Sequence, residues 1–585
     1  MKKSVCVLIV FLSFFLRLAV ADEAVEFDDV ALDLYKKGRL FDKKLYPALR
    51  KAYAVSFAKE HDAVIRKAWG DESEPFRKFM EERDTIREML FLSLNTEKGG
   101  DNVPAALGLM KTIWEKYPLE FETYPALAIA VSLVWDNPRG AIHSSPVGQH
   151  KALDPPEEAD ALANFYYYSN VDKTMGDRIR FMPWEFLALL VNHKTPLSER
   201  KWALSKYIGK RKGIGQIYKE VPYDTLMYTK KGEPQLSGLP MTLANQLLYG
   251  GVCSCQADFS ARVAKSIGVP AYYVAGQNRH GEWHAWVMWI EIDEISAAGM
   301  KCSLQSEGRY FNDNYYVGNT PDPPRSVSVT DRELAMKLHS IGSDATAYRL
   351  SLLALKAFDR ISATESLPAT KQLDYLGKVI DVNPFAVDAW KRTAAMVRND
   401  EIDKKDAGAL KKYPNLLFRH MAAFPDFTWE VFDDLVSFEP WKKQRGENYG
   451  KLCAFYETAK RPDLACKARI QYAKYLVEED RIAEALKGLA ATCMMFPEEG
   501  TIIPDILDEM DRLCTLVPEK TNANRKAMAA FYKAFLPKIP QKRGKTPSPY
   551  CMTLYERGIK LFDDAGDTAA ATQYRTDLRT LKMSR

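Results

Sequence analysis

The stretch Gly250-Gly251-Val252-Cys253-Ser254-Cys255-Gln256-Ala257 decides how the rest of the chain is read. The two glycines end a helical pattern running from Thr242 to Leu248. A second pattern begins at about Ser254 and reaches Ile267, where Gly268-Val269-Pro270 stops it. A cysteine therefore stands where a glycine-rich turn enters a helix. Unpaired backbone N–H groups and the helix dipole at such a start favour the thiolate, the reactive form. The same N–H groups can stabilise an oxyanion on an attacked carbonyl.

Downstream the periodicity changes. Ala271-Tyr272-Tyr273-Val274-Ala275 and His284-Ala285-Trp286-Val287-Met288-Trp289-Ile290 are rich in β-branched and aromatic residues and predict two strands, with Gly276 to Gly281 as a hairpin-like turn. Arg309-Tyr310-Phe311 and Tyr315-Tyr316-Val317 predict a third. A helix followed by strands gives an α+β core rather than a doubly wound sheet. A thiolate needs a base to hold or shuttle its proton, and His284 opens its strand 31 residues after Cys253. His284 in turn needs an acceptor that fixes its tautomer. Asp313 or Asn312 on the next strand could provide it, with Asp293 third.

Gly251-Val252-Cys253, Ala257, Ile267-Gly268-Val269-Pro270-Ala271, the strand to Gly276, and His284-Ala285-Trp286-Val287 together resemble the core motifs of the transglutaminase-like superfamily of papain-related folds. The resemblance covers Thr242 to Ile290 closely and extends to Pro323. The fifteen residues from Cys253 to Gly268 match the family's interval and select Cys253 over Cys255. The resemblance implies a cysteine protease-like catalytic triad, with a thiol nucleophile at Cys253, a general base at His284 and an orienting carboxylate at Asp313. No cofactor and no metal are expected. The segment Asp293 to Glu307 is longer than the hairpin usual in that family, which makes the third member the least secure. Cys255 reads as a packed helix thiol or as a redox neighbour of Cys253, although a C-x-C bridge would be strained. A rival reading gathers Cys253, Cys255, His280 and His284 around zinc. Its spacing is against it, because structural sites favour C-x2-4-C and Gly281 opposes a helix that would align the two histidines. No D-x-D-x-D-G loop suggests calcium. Trp283, Trp286 and Trp289 read as core or cleft wall.

Either side of this core, at 213–330, the chain reads as helical. Apolar residues recur at helical spacing through 22–212, and Thr195-Pro196 before Leu197 looks like an N-cap followed by proline at the first helical position. The loop from Asp136 to Pro156 holds His143 and His150, read as solvated or hydrogen-bonded surface histidines. Helical pairs return over 343–535. Leu373 to Ala395, Tyr472 to Pro497 and Tyr555 to Tyr574 partly resemble tetratricopeptide hairpins, with a plain helical bundle as the alternative. Residues 536–550, rich in proline, read as a semi-rigid linker ahead of the C-terminal helices at 551–585.

The first residues, Met1-Lys2-Lys3, the apolar run Val5 to Leu16 and the exit Leu18-Ala19-Val20-Ala21, form a secretory signal peptide at 1–21. The run is shorter than the roughly 20 residues a membrane span needs, and Arg17 interrupts it. The expected mature chain is secreted or periplasmic, with no membrane span after signal removal. Taking Lys2, Lys3 and Arg17 from the 82 basic residues leaves 79 against 77 acidic ones, so charge predicts no nucleic-acid or anionic-lipid partner. At 585 residues the chain is long enough for two to four domains of ~100–200 residues each. Eight cysteines outside the signal are too sparse for a disulfide scaffold and read mainly as buried free thiols.

The functional expectation is an exported thiol hydrolase or acyltransferase acting on a protein or peptide, cell-wall peptide among the candidates. The alternative is a catalytically idle scaffold whose C-terminal helices hold a protein partner.

Overall fold

The computed structural model describes residues 26–97, 99–137, 142–278, 281–310, 314–325, 327–438, 442–516, 521–543 and 546–583. The signal-peptide reading of 1–21 falls outside the described residues. The chain is helix-rich with a five-stranded antiparallel sheet, an α+β arrangement. It divides into two compact units. The first holds the chain up to Ala275 with His284–Arg309 and Gly318–Ala389; the second holds Gly276–Trp283, Tyr310–Val317 and Trp390–Arg585. The expected borders at 212 and 330 are not borders of these units. Ala203 and Tyr207 share one apolar core with Ile214, Phe259, Val287 and Trp289, so helices before the sheet and the sheet itself bury each other's faces.

Strands β1 (Ala271–Gln277), β2 (Trp283–Ser296), β3 (Gly299–Glu307), β4 (Asn319–Asp322) and β5 (Val327–Thr330) lie in the order β3-β2-β1-β4-β5. The segment Asp293 to Glu307, expected as an insertion, is the far end of β2 together with β3: Val287 pairs with Glu307 and Ser296 with Gly299. The third strand expected at Arg309-Tyr310 and Tyr315-Tyr316-Val317 is not there, and Phe311 lies outside the described residues. The physical reason is burial. None of β3's residues is fully buried, so it lacks the apolar signature of a core strand, whereas the tyrosines of 315–316 carry β-propensity but lie outside the strands. Gly318 follows them at a close approach. A Cβ there would fall 2.5 Å from the Trp286 ring. Asp331 pins the same point, accepting the Gly318 N–H at 2.8 Å while pairing with Arg309 at 2.6 Å, and the Arg309 guanidinium lies 4.9 Å from the Trp286 ring.

Helix α1 (Ala161–Val171), α2 (Leu197–Tyr207) and α3 (Leu243–Tyr249) precede α4 (Cys253–Ser266), the helix that begins at the candidate nucleophile. Thr242 caps α3, accepting the Asn245 N–H at 3.2 Å. Around α4 pack α2, α3 and the helices Trp184–Val191 and Ile214–Glu220. That surrounding leaves 12 of its 14 residues buried. It ends at Gly268, φ +78°, where Val269 N donates back to Ala264 O at 2.9 Å in a Schellman-type close. Thr195 does not cap α2 as expected. Its hydroxyl is taken by His193 Nδ1 and Arg262 Nε, both at 2.9 Å, leaving Pro196 as an N-cap without a side-chain bond. After the sheet comes Asp331–Thr364, broken at Asp344.

In the second unit α5 (Lys442–Thr458), α6 (Pro462–Glu478), α7 (Ile482–Met495), α8 (Ile503–Thr515), α9 (Thr521–Phe535), α10 (Pro549–Asp564) and α11 (Thr568–Met583) each pack against the next. One turn recurs between them. Lys460, Asp480 and Gly566 take left-handed backbone, and the following N–H returns to a carbonyl five residues back: Arg461 to Tyr456, Arg481 to Leu476, Asp567 to Phe562, at 2.8–2.9 Å. The stretch 536–550, read as a linker, is packed instead. Leu536 and Ile539 are buried, Lys542–Arg543 pairs with Thr546–Pro547, and the Tyr550 hydroxyl donates to Pro497 O at 3.0 Å. Its prolines fix φ without preventing burial, and Pro549 starts α10.

Candidate active site

Gly250 and Gly251 are demanded by crowding. Gly250 is left-handed, φ +73°, and a Cβ on it would lie 2.0 Å from Pro222 O. On Gly251 a Cβ would strike Cys255 at 2.5 Å and His150 Nε2 at 2.7 Å. The turn is also laddered to a neighbouring segment, Gly251 N donating to Pro222 O and Asp224 N to Gly251 O, both at 3.0 Å. Val252 then takes extended backbone as N-cap and α4 starts at Cys253.

Cys253 is half-buried. Burial pushes its thiol above the ordinary value and outweighs the nearby backbone N–H groups of Ala285, Ser254 and Cys253 itself, which favour the thiolate. The expectation that the helix start lowers this thiol is therefore corrected: the helix-start groups are present, but desolvation outweighs them.

The N–H of Ala285 near the Cys253 sulfur places the thiol beside the residue that follows His284. His284 is half-buried, and its Nε2 donates to the carbonyl of Gly308 at 2.5 Å. A carbonyl only accepts, so this bond assigns the proton to Nε2 and makes Nδ1 the accepting nitrogen of the neutral ring. Gly308 is itself fixed. Its φ is +82°, and a Cβ would lie 2.5 Å from the Tyr218 ring, whose hydroxyl donates to Ala285 O at 3.3 Å. Asp313 and Asn312, the expected third members, lie outside the described residues. Asp293 is exposed, nine positions along β2 from His284, and pairs with Lys212 at 2.7 Å.

The loop carrying His143 and His150 was expected at the surface. Both side chains are buried and hold α4. His150 donates from Nδ1 to Pro146 O at 3.0 Å and accepts the Val252 N–H at Nε2 at 3.4 Å, one residue ahead of the thiol; burial lowers its pKa. Gln149 accepts the Ser254 hydroxyl at 2.6 Å. Deeper along the helix, Asp258 accepts from His143 at 2.6 Å, Ser145 at 2.9 Å and Gln246 at 2.6 Å. Burial opposes its ionisation, yet the His143 hydrogen bond and the Arg262 charge win and hold the carboxyl at about 2. Lys265, fully buried, donates to Leu189 O at 2.6 Å and to Asn192, and burial drives its pKa far down. The only hint of these contacts in the sequence is the oppositely charged Asp258 and Arg262 at i and i+4 on one helix.

Cys255 is fully buried, its Sγ 3.7 Å from Gly250 O, and burial raises its thiol strongly, so it is a packing thiol under the glycine turn and not a redox partner. His280, needed by the zinc reading, lies outside the described residues, and among the described residues no His, Cys, Asp or Glu group is arranged to hold a metal. Trp286 and Trp289 are core, as read, whereas Trp283 is 65% exposed. No helix among the described residues is long and apolar enough to cross a membrane.

No known family profile matches the chain, and no curated protein matches it. Among solved structures, one described as a circular tandem repeat protein with novel repeat topology and enhanced subunit contact surfaces aligns over 95% of this chain and 94% of its own, at 9% identity and a TM-score of 0.12.

Proposed function

We propose that the chain is an exported thiol enzyme with a transglutaminase-like, papain-related core that attacks an amide carbonyl through Cys253. The observation that carries this reading is the half-buried Cys253 thiol at the start of α4, near the Ala285 N–H, together with the Nε2-tethered ring of His284 one residue earlier on β2. As sulfur bonds to the carbonyl carbon, its proton passes to His284 Nδ1. The carbonyl oxygen, now an oxyanion, is met by helix-start N–H groups. The C–N bond then breaks, and the amine leaves with the proton held on His284. The resulting thioester passes to water, which makes the enzyme a peptidase or amidase, or to a lysine amine, which makes it a transglutaminase. A raised thiol suits this sequence, because the proton moves during attack rather than before it. Gly308 O keeps His284 in the required tautomer, and Asp313 is the candidate carboxylate for the same task. The substrate class is protein or peptide, cell-wall peptide included.

Iodoacetamide labelling at neutral pH tests this. Cys253 should be alkylated faster than a free exposed thiol of the same pKa, and His284→Ala should remove that advantage. Equal rates in the two proteins would overturn it. The second reading, an idle scaffold, is favoured by the motif-free helices of the second unit.

A further inference from the structure

Beside the glycine turn that precedes the thiol stands a small, tightly hydrogen-bonded platform. Asp224, buried, accepts the N–H groups of Met227 at 3.0 Å and Gln235 at 2.9 Å, and its own N–H is laddered to Gly251 O. Lys231 N returns to Leu226 O at 3.0 Å and closes the turn. Every one of these bonds fixes the backbone of 223–235, yet the large apolar side chains on it point to water: Tyr223 is 45% exposed, Leu226 53% and Tyr228 67%. The rings of Tyr223 and Tyr228 face each other at 5.8 Å and 61°. Single exposed apolar residues are ordinary; three on one rigid turn are not.

The ladder also sets their location. Tyr223 lies opposite Gly251, two residues before Cys253, so this turn flanks the start of the helix that carries the thiol. Rigid aromatic side chains supply contact area at little ordering cost, which is how binding surfaces use tyrosine.

We propose that Tyr223, Leu226 and Tyr228 form the subsite for an aromatic or branched aliphatic side chain flanking the amide that Cys253 attacks. This rests on the thiol reading above and adds the substrate class: peptides with a large apolar residue next to the reacting bond. The exposed Lys230 and Lys231 at its edge disfavour a basic side chain there.

The test uses three irreversible probes on the full chain: acetyl-Phe-Gly, acetyl-Gly-Phe and acetyl-Gly-Gly chloromethyl ketones. Alkylation of Cys253 is followed by mass and divided by each protein's own iodoacetamide rate. One Phe probe should react at least about tenfold faster than the Gly-Gly probe, and the Tyr223→Ser/Leu226→Ser double variant should bring that ratio to within about twofold. Equal rates for all three probes in the wild type, or a preference that survives the double variant, would overturn the subsite while leaving a fast iodoacetamide reaction, and so the thiol enzyme, standing. A wild-type Cys253 slow toward iodoacetamide and all three probes would overturn both. A dimer in sedimentation that the double variant dissolves would assign the platform to a second copy of the chain instead.

Discussion

The interior around α4 and the interior of the α5–α11 array are built from opposite materials. Around α4 the buried positions include Asp258, Arg262 and Lys265, with Arg200 and His193 packed nearby, each satisfied by hydrogen bonds. In the second unit the interior is mostly apolar, with Ala465, Cys466, Ala468, Leu489 and Cys493 in the corresponding places; Arg461, paired with Asp463 at 2.7 Å, and Glu499 are buried exceptions, while pairs such as Arg481–Glu484 and Arg512–Glu509 stay at the rim. A buried charge tolerates one arrangement of partners, whereas an apolar contact tolerates many. The polar interior therefore fixes one element, the start of α4, and the apolar one fixes a stack. The difference teaches where positional accuracy is needed: at the thiol.

The largest effect should come from breaking the chemistry itself. His284→Ala should slow turnover of a peptide amide by about 10²–10⁴-fold and leave thermal unfolding nearly unchanged. Loss of both together would mean that the histidine is only a packing group. Next in size, Asp258→Ala removes the shared acceptor of His143, Ser145 and Gln246 and should cost about 3–5 kcal/mol in urea unfolding, as for other broken buried pairs. A cost under about 1 kcal/mol would end the claim that this interior specifies α4. The same carboxylate gives a pH signature. Its folded pKa, about 2, lies below the unfolded value, so its contribution of about 2 kcal/mol is present above pH ~4 and is lost as pH falls toward 2.

Asp101 in the first unit has the opposite sign. Burial raises its carboxyl to about 7, against the hydrogen bond from Asn95 N at 2.7 Å, with Asp136 and Asp322 adding to the rise. The folded chain then holds a proton that the unfolded one releases, so stability is full below pH ~4 and falls as pH rises toward 7. Asp101→Asn should flatten that slope and stabilise by about 2–4 kcal/mol at pH 8, with no gain at pH 4. An unchanged slope would show the carboxyl to be hydrated. The smallest effect belongs to the helical array. Gly566→Ala should cost about 1 kcal/mol, the strain of a left-handed alanine, read as a lower midpoint at an unchanged m-value.

How much of this could be read in advance follows the range of the interactions. Cys253 and His284 were legible because a glycine turn, a helix start and a strand each leave a local mark within a few residues. The limits of α3 and α4 were legible for the same reason, through Thr242 and Gly268. β3 was not, because a half-exposed strand carries no apolar run. The partners of α4 were not either: His143 lies 115 residues from Asp258, and Asn192 lies 73 from Lys265. A polar residue on a helix is by default a solvated one. Only the fold reveals that α4 has no solvated face. The histidines of the Asp136–Pro156 loop were misread on the same default, whereas Thr195 was misread on its local spacing, because its hydroxyl is taken by Arg262, 67 residues away.

One consequence concerns the acceptor on His284. Side-chain members of a catalytic set can be deleted one codon at a time; a main-chain carbonyl cannot. The tether from Nε2 to Gly308 survives any substitution that keeps the chain path, and is lost by substitutions that shift it, beginning with Gly308→Ala beneath the Tyr218 ring. Mutational scanning would then register this tether as intolerance at a glycine and a tyrosine, residues without reactive chemistry, and a search for conserved acids would pass it by.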